Sequence, residues 1–534
     1  MKKLSFLLLS IAFAIFILDG QAHAVPDIRG QYLGTYSIVV SNCTNSSSNG
    51  TYNAVLEMNI STQNGNTFSG TATGTFEPGA VEYIQLSGTI TESGHLSGNT
   101  THTFLNTAGE GTFTGQLCVD SLTIENTGQD TLGDTCQYTR YMSEKRPSTF
   151  LYNEFKINSP NEESDNVFGA EVSISGDYAI VTDMNDDDVA TNSGAAYIFR
   201  RNGTGWTQEA KLTASDGAYY DRFGRSASIS GNYAIVGAPF DSIAPSVQCG
   251  SVYIFEKSGS DWIKVSKLTG SNESAAGHFG NDVSISGEYI IVGVPGDDET
   301  ATDSGSAYIF RRSNTGWIQE AKLTASDRAL YQSFGQNVSI SGEYAIVGIA
   351  PNLNTPKEHI ASTYIFKRNS TGWIEETKIV TGDDVYEYYT RDVSISGDYA
   401  IISVANGDIP GAAYIFKRNG TDWVQEAKLT ASDGEAGDFF GSDVSLSGKY
   451  AVVGRSDDNE SSGSVYIFER CESSWAQKAK LTASDGVTTR SFGGSLSQSG
   501  EYIIVGTWSQ SAYIYNLSTT NNFALPWIQL MLLD

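Results

Sequence analysis

Residue types that commonly carry reaction chemistry are scarce in this chain of 534 residues, which holds only five His, five Cys and five Met. The histidines, His23, His95, His102, His278 and His359, are scattered and form no two-histidine metal motif. No Gly-x-Ser-x-Gly elbow leads into a helix, and no Gly-Lys-Ser/Thr loop is present, so the common hydrolase nucleophile and the phosphate-cradling loop are both excluded. A sialidase-type Ser-x-Asp-x-Gly-x-x-Trp box is also lacking. The turn at Asn202-Gly-Thr-Gly-Trp206 has no Asp, and Asp261 and Asp422 stand directly against Trp. Positive charge is short as well: 33 Lys plus Arg against 61 Asp plus Glu leave a net charge of −28, which repels nucleic acid phosphates and anionic membrane surfaces. Cationic partners, divalent metals and plain solubility remain compatible with it. Apolar runs long enough to span a bilayer, about 20 residues, are absent.

What is present begins with an export pattern. Lys2 and Lys3 precede an apolar run from Phe6 to Leu18 and a polar stretch ending Ala22-His23-Ala24, the layout of a signal peptide over residues 1–24. The mature chain is expected to start near Val25 and to be extracellular, on the cell surface or periplasmic. No cysteine lies at the cleavage site, so nothing supports a lipid anchor. In an exported chain Cys43 and Cys136, near the two ends of a small β-rich region, are expected to form a disulfide. Cys118 competes for Cys136, and Cys249 and Cys471 remain as unpaired or mutually paired residues.

Self-similarity organises the chain from about residue 150 onward. The segment Phe279-Gly-Asn-Asp-Val-Ser-Ile-Ser-Gly-Glu-Tyr-Ile-Ile-Val-Gly293 recurs with its opening aromatic at Phe168, Phe223, Phe279, Phe334, Tyr389, Phe440 and Phe492, at intervals of 51 to 56 residues. Each unit reads as four strands. Two short β-branched runs flank a Gly-X pair such as Gly287-Glu288, which suits a II′ hairpin; Ala307-Tyr-Ile-Phe310 is a third strand and Trp317 to Leu323 a fourth. Seven such units without helical periodicity predict a radial propeller, with an open solenoid as the alternative. Glu154-Phe-Lys-Ile157 matches the fourth-strand segment Glu209-Ala-Lys-Leu212, while the seventh unit ends at Tyr515 without a fourth strand. The N-terminal strand is therefore expected to complete the last blade and close the ring.

The predicted fold class is all-β: a seven-bladed β-propeller of four-stranded blades over residues 148–516, preceded by a small antiparallel β sandwich or barrel over 25–147. An apolar tail, 517–534, follows and is too short to span a membrane.

Phe223-Gly224 at a unit start and Val236-Gly-Ala-Pro239 in its second strand resemble the FG-GAP repeat, known from the integrin α-subunit propeller and from bacterial exported proteins. The resemblance covers about residues 153–516. The Gly-Ala-Pro element softens to Gly293-Val-Pro295 and Gly454-Arg-Ser456, and Tyr389-Thr390 replaces Phe-Gly in the fifth unit. The resemblance implies adhesion or ligand recognition, in some members with calcium in an Asp-rich loop between the first two strands. Here that connection is only Ser-Gly-Asp or its equivalent, too short for the six to eight oxygens calcium takes. No cofactor is expected, and no catalytic or metal residue is assigned.

Three repeated features remain as candidates. Acidic clusters at Asp186-Asp-Asp188, Asp297-Asp-Glu299 and Asp457-Asp-Asn-Glu460 are expected to be solvated turn residues, with a calcium site as the alternative. Asp216, Asp327, Asp433 and Asp485 recur between units and are read as turn caps, or else as an acidic rim. Trp206, Trp262, Trp317, Trp373, Trp423 and Trp475 recur once per unit and are read as blade packing, or else as a glycan platform. The expected function is a secreted or cell-surface binding or adhesion module whose loops meet a protein or glycan partner, without catalysis. The alternatives are a glycan-active hydrolase or lyase, which needs two carboxyl groups about 5 to 10 Å apart, and a structural envelope spacer.

Overall fold

The computed structural model describes residues 153–517, apart from loop segments of which 271–276, 351–361, 382–388, 457–462 and 486–490 are the longest, and the backbone of eight strands between Gly30 and Glu144. The expected export segment, the tail beyond Leu517, the cluster Asp457–Glu460, and the Cys43–Cys136 disulfide lie outside the described residues. The chain divides into two units, Met1–Phe150 and Leu151–Asp534. In the first, eight antiparallel strands pair in chain order and the last, Thr135–Glu144, pairs back to the first, Gly30–Ser41.

In the second unit, seven four-stranded antiparallel sheets follow one another. Blade 1 consists of strand a (Val172–Ser175), strand b (Tyr178–Asp183), strand c (Ala195–Asn202) and strand d (Gly205–Leu212). The same four strands form blade 2 (226–268), blade 3 (283–323), blade 4 (334–380), blade 5 (389–429) and blade 6 (440–481). Blade 7 takes strands a to c from 496–516 and strand d from Asn153–Asn158, with Ala512 opposite Ile157 and Ile514 opposite Phe155. The ring is thus a seven-bladed propeller closed by its own N-terminal strand, as the match of Glu154–Ile157 to the fourth-strand segments predicts.

Local chemistry explains each element. The first hairpin of every blade turns on a glycine at φ between 56° and 60°, Gly176 and its six counterparts, which is the left-handed start of a II′ turn. Strand c is buried on both faces, as in Ala195–Phe199, because each sheet is covered by its neighbours. The hydrophobic cores accordingly lie between blades: Ile180 and Ile198 of blade 1 pack with Phe223, Tyr253 and Trp262 on the blade 2 side.

The Phe-Gly and Gly-Ala-Pro landmarks meet across these seams. A Cβ on Gly237 would lie 2.2 Å from the Gly280 carbonyl oxygen of the next unit, so the two backbones touch only because both residues are glycine.

Strand a is the inner edge of each sheet, and its N–H groups need partners. The repeated Ser-Ile-Ser supplies them from the preceding blade. Ile229 N donates to Ser173 Oγ, Ile285 N to Ser228, Ile340 N to Ser284 and Ile395 N to Ser339. Leu446 N to Ser394, Gln498 N to Ser445 and Ile174 N to Ser497 complete the circle. All seven bonds measure 3.0 to 3.3 Å.

Candidate functional site

The acidic residues singled out in the sequence turn out to grip lysines. Asp186, fully buried, accepts from Tyr197 Oη at 2.9 Å and pairs with Lys211 at 2.7 Å, while Asp188 holds the other side of the same ammonium group. Lys322 sits in the same way between Asp297, at 2.7 Å, and Glu299. These two clusters are therefore not simply solvated turns: the lysine of strand d occupies the space between the carboxylates.

The recurrent aspartates reach from one blade's exit loop to the next blade. Asp216 accepts from Tyr253 Oη (3.0 Å) and Lys267 (2.7 Å), Asp327 from Tyr364 (2.6 Å) and Lys378 (2.6 Å), and Asp433 from Tyr466 (2.7 Å) and Lys480 (2.9 Å). Asp485 accepts from Tyr513 (2.7 Å) and from Lys156 of the closing strand. They are cross-blade latches rather than caps of their own turn. Burial alone would raise the carboxyls of Asp216, Asp297, Asp327, Asp433 and Asp485, but the hydrogen bonds from their lysines prevail and hold all five below the usual carboxylate range.

The repeated tryptophans pack between blades. Each lies edge-on to a strand b tyrosine of the preceding blade, with ring centroids 5.6 to 6.4 Å apart, from Tyr178–Trp262 round to Tyr502–Trp206. The seam between blades 6 and 7 has no such tryptophan; there Lys449 and Lys478 lie over the Tyr450 ring, at 5.1 and 4.9 Å.

A second set of carboxyl groups went unnoticed in the sequence. Glu171, Asp282, Asp392 and Asp443 stand just before the first valine of strand a in blades 1, 3, 5 and 6. Groups on non-adjacent blades influence one another, Glu171 with Asp282 and Asp282 with Asp392, which places them around the ring axis. Each is half-buried.

Removal from bulk water, followed by the neighbouring carboxyls, pushes Glu171 up to about 8 and Asp282 up to about 7. Desolvation likewise raises Asp443 to about 7, and Asp392, hydrogen-bonded to Asp443, lies well above the ordinary value. Their oxygens already accept cross-blade backbone bonds: Val338 N to Asp282 (2.6 Å), Val444 N to Asp392 (2.9 Å) and Leu496 N to Asp443 (2.6 Å). No group of three or more His, Cys, Asp or Glu among the described residues is arranged to hold a metal ion.

The face that carries the loops between strands b and c and the exit loops after strand d presents aromatic side chains. Tyr219 is 69% exposed and Tyr220 39%, with ring centroids 4.5 Å apart. The Arg222 guanidinium lies 5.6 Å from the Tyr220 ring and 5.5 Å from Phe240, which in turn meets His278 at 5.1 Å. This row crosses from the exit loop of blade 1 over blade 2 to its exit loop. Burial pushes the His278 imidazole below its ordinary value, which favours the neutral ring.

The loop beneath the tyrosines is pinned: buried Asp221 accepts from Ala218 N at 2.6 Å, and Tyr220 N and Arg222 N donate to Thr191 and Asn192 carbonyls. Tyr220 and Arg222 adopt φ of 65° and 52°, conformations that cost an L-residue roughly 1–2 kcal/mol. The blade 3 exit loop repeats the design with Leu330, 53% exposed, and Tyr331 at φ 59°.

Solved structures similar to the chain share little sequence with it. Sqt1 of Saccharomyces cerevisiae matches at 11% identity and a TM-score of 0.39, covering 68% of this chain and 86% of that one. A periplasmic gluconolactonase of Pseudomonas aeruginosa matches at 13% and 0.41, covering 67% and 91%. A GH74 xyloglucanase of Xanthomonas campestris matches at 10% and 0.41, covering 70% and 55%. These values carry no functional argument. No curated protein matches the sequence.

The profile described as FG-GAP repeat matches six times, at residues 153–199, 206–255, 262–310, 317–366, 423–468 and 475–516. The fifth unit, where Thr390 replaces the glycine, instead matches an LVIVD repeat at 389–409. With more than half of its length matched and the glycine-to-glycine seams that underlie the motif in place, the chain belongs to the FG-GAP repeat family.

Proposed function

We propose that this protein is an exported or cell-surface binding module that presents the loop-bearing face of its propeller to a protein or glycan partner and performs no catalysis. The observation that carries the reading is the row Tyr219, Tyr220, Arg222, Phe240 and His278, which begins with two exposed tyrosines on a pinned loop and continues through half-buried Arg222, Phe240 and His278. Tyrosine and arginine dominate binding energy at interfaces, and a loop ordered beforehand loses little entropy on association.

The rival reading, a glycan-active hydrolase or lyase using carboxylates at one end of the ring, finds its best support in the raised channel carboxyls. Against it, Asp392 and Asp443 are hydrogen-bonded to each other rather than held the 5 to 10 Å apart, roughly, that glycoside hydrolysis uses, and their oxygens are engaged by backbone N–H groups.

The test is a glycan and extracellular-matrix array probed with the chain from Val25 onward, beside a Tyr219→Ser/Tyr220→Asn variant. A specific signal that falls at least tenfold in the variant supports recognition through this face. An array signal indifferent to the variant moves the site elsewhere, and turnover of an arrayed glycan favours the hydrolase.

A further inference from the structure

The loop-bearing face carries one construction twice. In blade 1 the loop between strands b and c holds Asp186, Asp187 and Asp188, and Asp187 Oδ1 accepts from Asn192 N at 2.6 Å. Asn192 has φ 53°, and its carbonyl and that of Thr191 accept from Arg222 N (3.2 Å) and Tyr220 N (3.0 Å) of the exit loop. In blade 3 Asp298 Oδ1 accepts from Asp303 N at 2.7 Å, Asp303 has φ 50°, and Tyr331 N and Ser333 N donate to the Thr302 and Asp303 carbonyls, both at 2.9 Å. Each exit loop is braced again from within, Ala218 N by Asp221 and Ala329 N by Gln332. The tips so held are Tyr219, 69% exposed, and Leu330, 53% exposed.

The two units also share a charge. Lys211 lies between Asp186 and Asp188, and Lys322 between Asp297 and Glu299, so one carboxylate of each acidic run is left over. Asp187 and Asp298 are exposed and meet no lysine or arginine among the described residues. The arginines of the two exit loops are turned to other groups: Arg222 stacks on Tyr220 and Phe240, and Arg328 donates to Thr324 and to the Ala325 carbonyl. Each unit therefore joins an exposed apolar tip to an uncompensated carboxylate, on a chain whose net charge is −28.

We propose that the two units dock a cationic polypeptide segment, in which a lysine or arginine meets Asp187 or Asp298 and a neighbouring apolar side chain packs on Tyr219 or Leu330. The inference rests on the loop-face reading above and names the chemistry of its partner. Charge complementarity sets the sign, because an acidic surface draws in a basic partner and repels an acidic one. The tips set the class. A sugar ring stacks on an aromatic face, which Tyr219 has and Leu330 lacks, so what the two units share suits amino-acid side chains rather than a glycan. Loops already braced by backbone bonds lose little entropy on association.

The test is selection from a random-peptide library on the immobilised full chain, followed by fluorescence anisotropy titration of the enriched peptides. These peptides are expected to combine Lys or Arg with apolar residues and to bind more weakly as salt rises. Asp187→Asn/Asp298→Asn keeps an oxygen for Asn192 N and Asp303 N, so its melting temperature is expected to match the wild type while peptide affinity falls about tenfold or more. A similar loss is expected in Tyr219→Ser/Leu330→Ser. No enrichment, enrichment of acidic or uncharged peptides, or affinity indifferent to Asp187→Asn/Asp298→Asn overturns the proposal. A glycan-array signal that falls in Tyr219→Ser/Tyr220→Asn beside a blank peptide selection overturns it too, and leaves the loop-face reading standing.

Discussion

In the blades' loops Asp186, Asp216, Asp297, Asp327, Asp433 and Asp485 each meet a lysine, whereas in the channel Glu171, Asp282, Asp392 and Asp443 meet one another. Asp216, Asp327, Asp433 and Asp485 reach across to the next blade while Asp186 and Asp297 hold the lysine of their own, and Asp282, Asp392 and Asp443 accept backbone N–H groups of the next unit. The partner's sign decides what each does: an ammonium group compensates the lost hydration of a carboxylate, and a second carboxyl compounds it. The propeller therefore uses ionised carboxylates to fasten its seams and keeps carboxyls close to neutrality around its axis, where the bond needed is acceptance from a neighbour's N–H. Substituting members of the two sets should shift stability in opposite directions.

The largest effect is expected at a buried latch. Asp186→Ala removes the acceptor of both Tyr197 Oη and Lys211 from a fully buried position and is expected to destabilise the propeller by about 3 kcal/mol, read from denaturant unfolding. A change below about 1 kcal/mol would put this latch among the weak surface pairs and break the comparison.

The channel set should give a smaller effect of opposite sign. Asp282→Asn/Asp392→Asn/Asp443→Asn keeps an oxygen to accept from Val338, Val444 and Leu496, and is expected to raise stability at pH 8 by about 1–2 kcal/mol with little change at pH 5. The pH dependence follows from the direction of the shifts. The channel carboxyls have folded values above their unfolded ones, so their contribution is fully present below about pH 4 and is lost as pH rises through about 7 to 8. The latch aspartates with lowered values behave in reverse: their contribution is present above their unfolded value and is lost as pH falls through the folded one. Melting temperatures should therefore fall from pH 6 to pH 8 in the wild type and fall less steeply in the triple variant, which retains Glu171, while both should fall in acid. A wild-type profile flat from pH 6 to 8 would show that the channel carboxyls are not strained by one another.

The propeller and its closure were legible in the sequence because the signals are local. Gly287-Glu288 marks a turn wherever it recurs, and Glu154–Ile157 displays its kinship with strand d before any fold is known. The tryptophans were legible as packing for the same reason, since one per unit implies one per seam. The latches were only half legible: Asp216 is visible as a repeated residue, but Tyr253 and Lys267 face it only after the next blade has folded against it.

The channel carboxyls were not legible. Their position also holds Ser226, Asn337 and Ser495, so the repeat shows no acidic consensus there, and Glu171 approaches Asp282 only through closure of the ring. The row from Tyr219 to His278 was missed because it belongs to exit loops that vary from unit to unit.

The smallest effect is expected where the comparison is most finely drawn, at the latch between Asp485 and Lys156. It has the same Asp, Tyr and Lys as the trio at fully buried Asp186, but its charged side chains are 36% and 34% exposed. If burial sets the strength of a latch, Asp485→Asn should cost only about 0.5 kcal/mol and the cost should shrink further in high salt. Lys156, however, belongs to the closing strand, so the pair also bears on whether that strand stays in blade 7. A double-mutant cycle of Asp485→Asn with Lys156→Met separates the two contributions. A coupling near 0.5 kcal/mol that salt removes assigns the latch to surface electrostatics, whereas a salt-insensitive coupling above about 1 kcal/mol would mean that position on the closing strand, rather than burial, governs its strength.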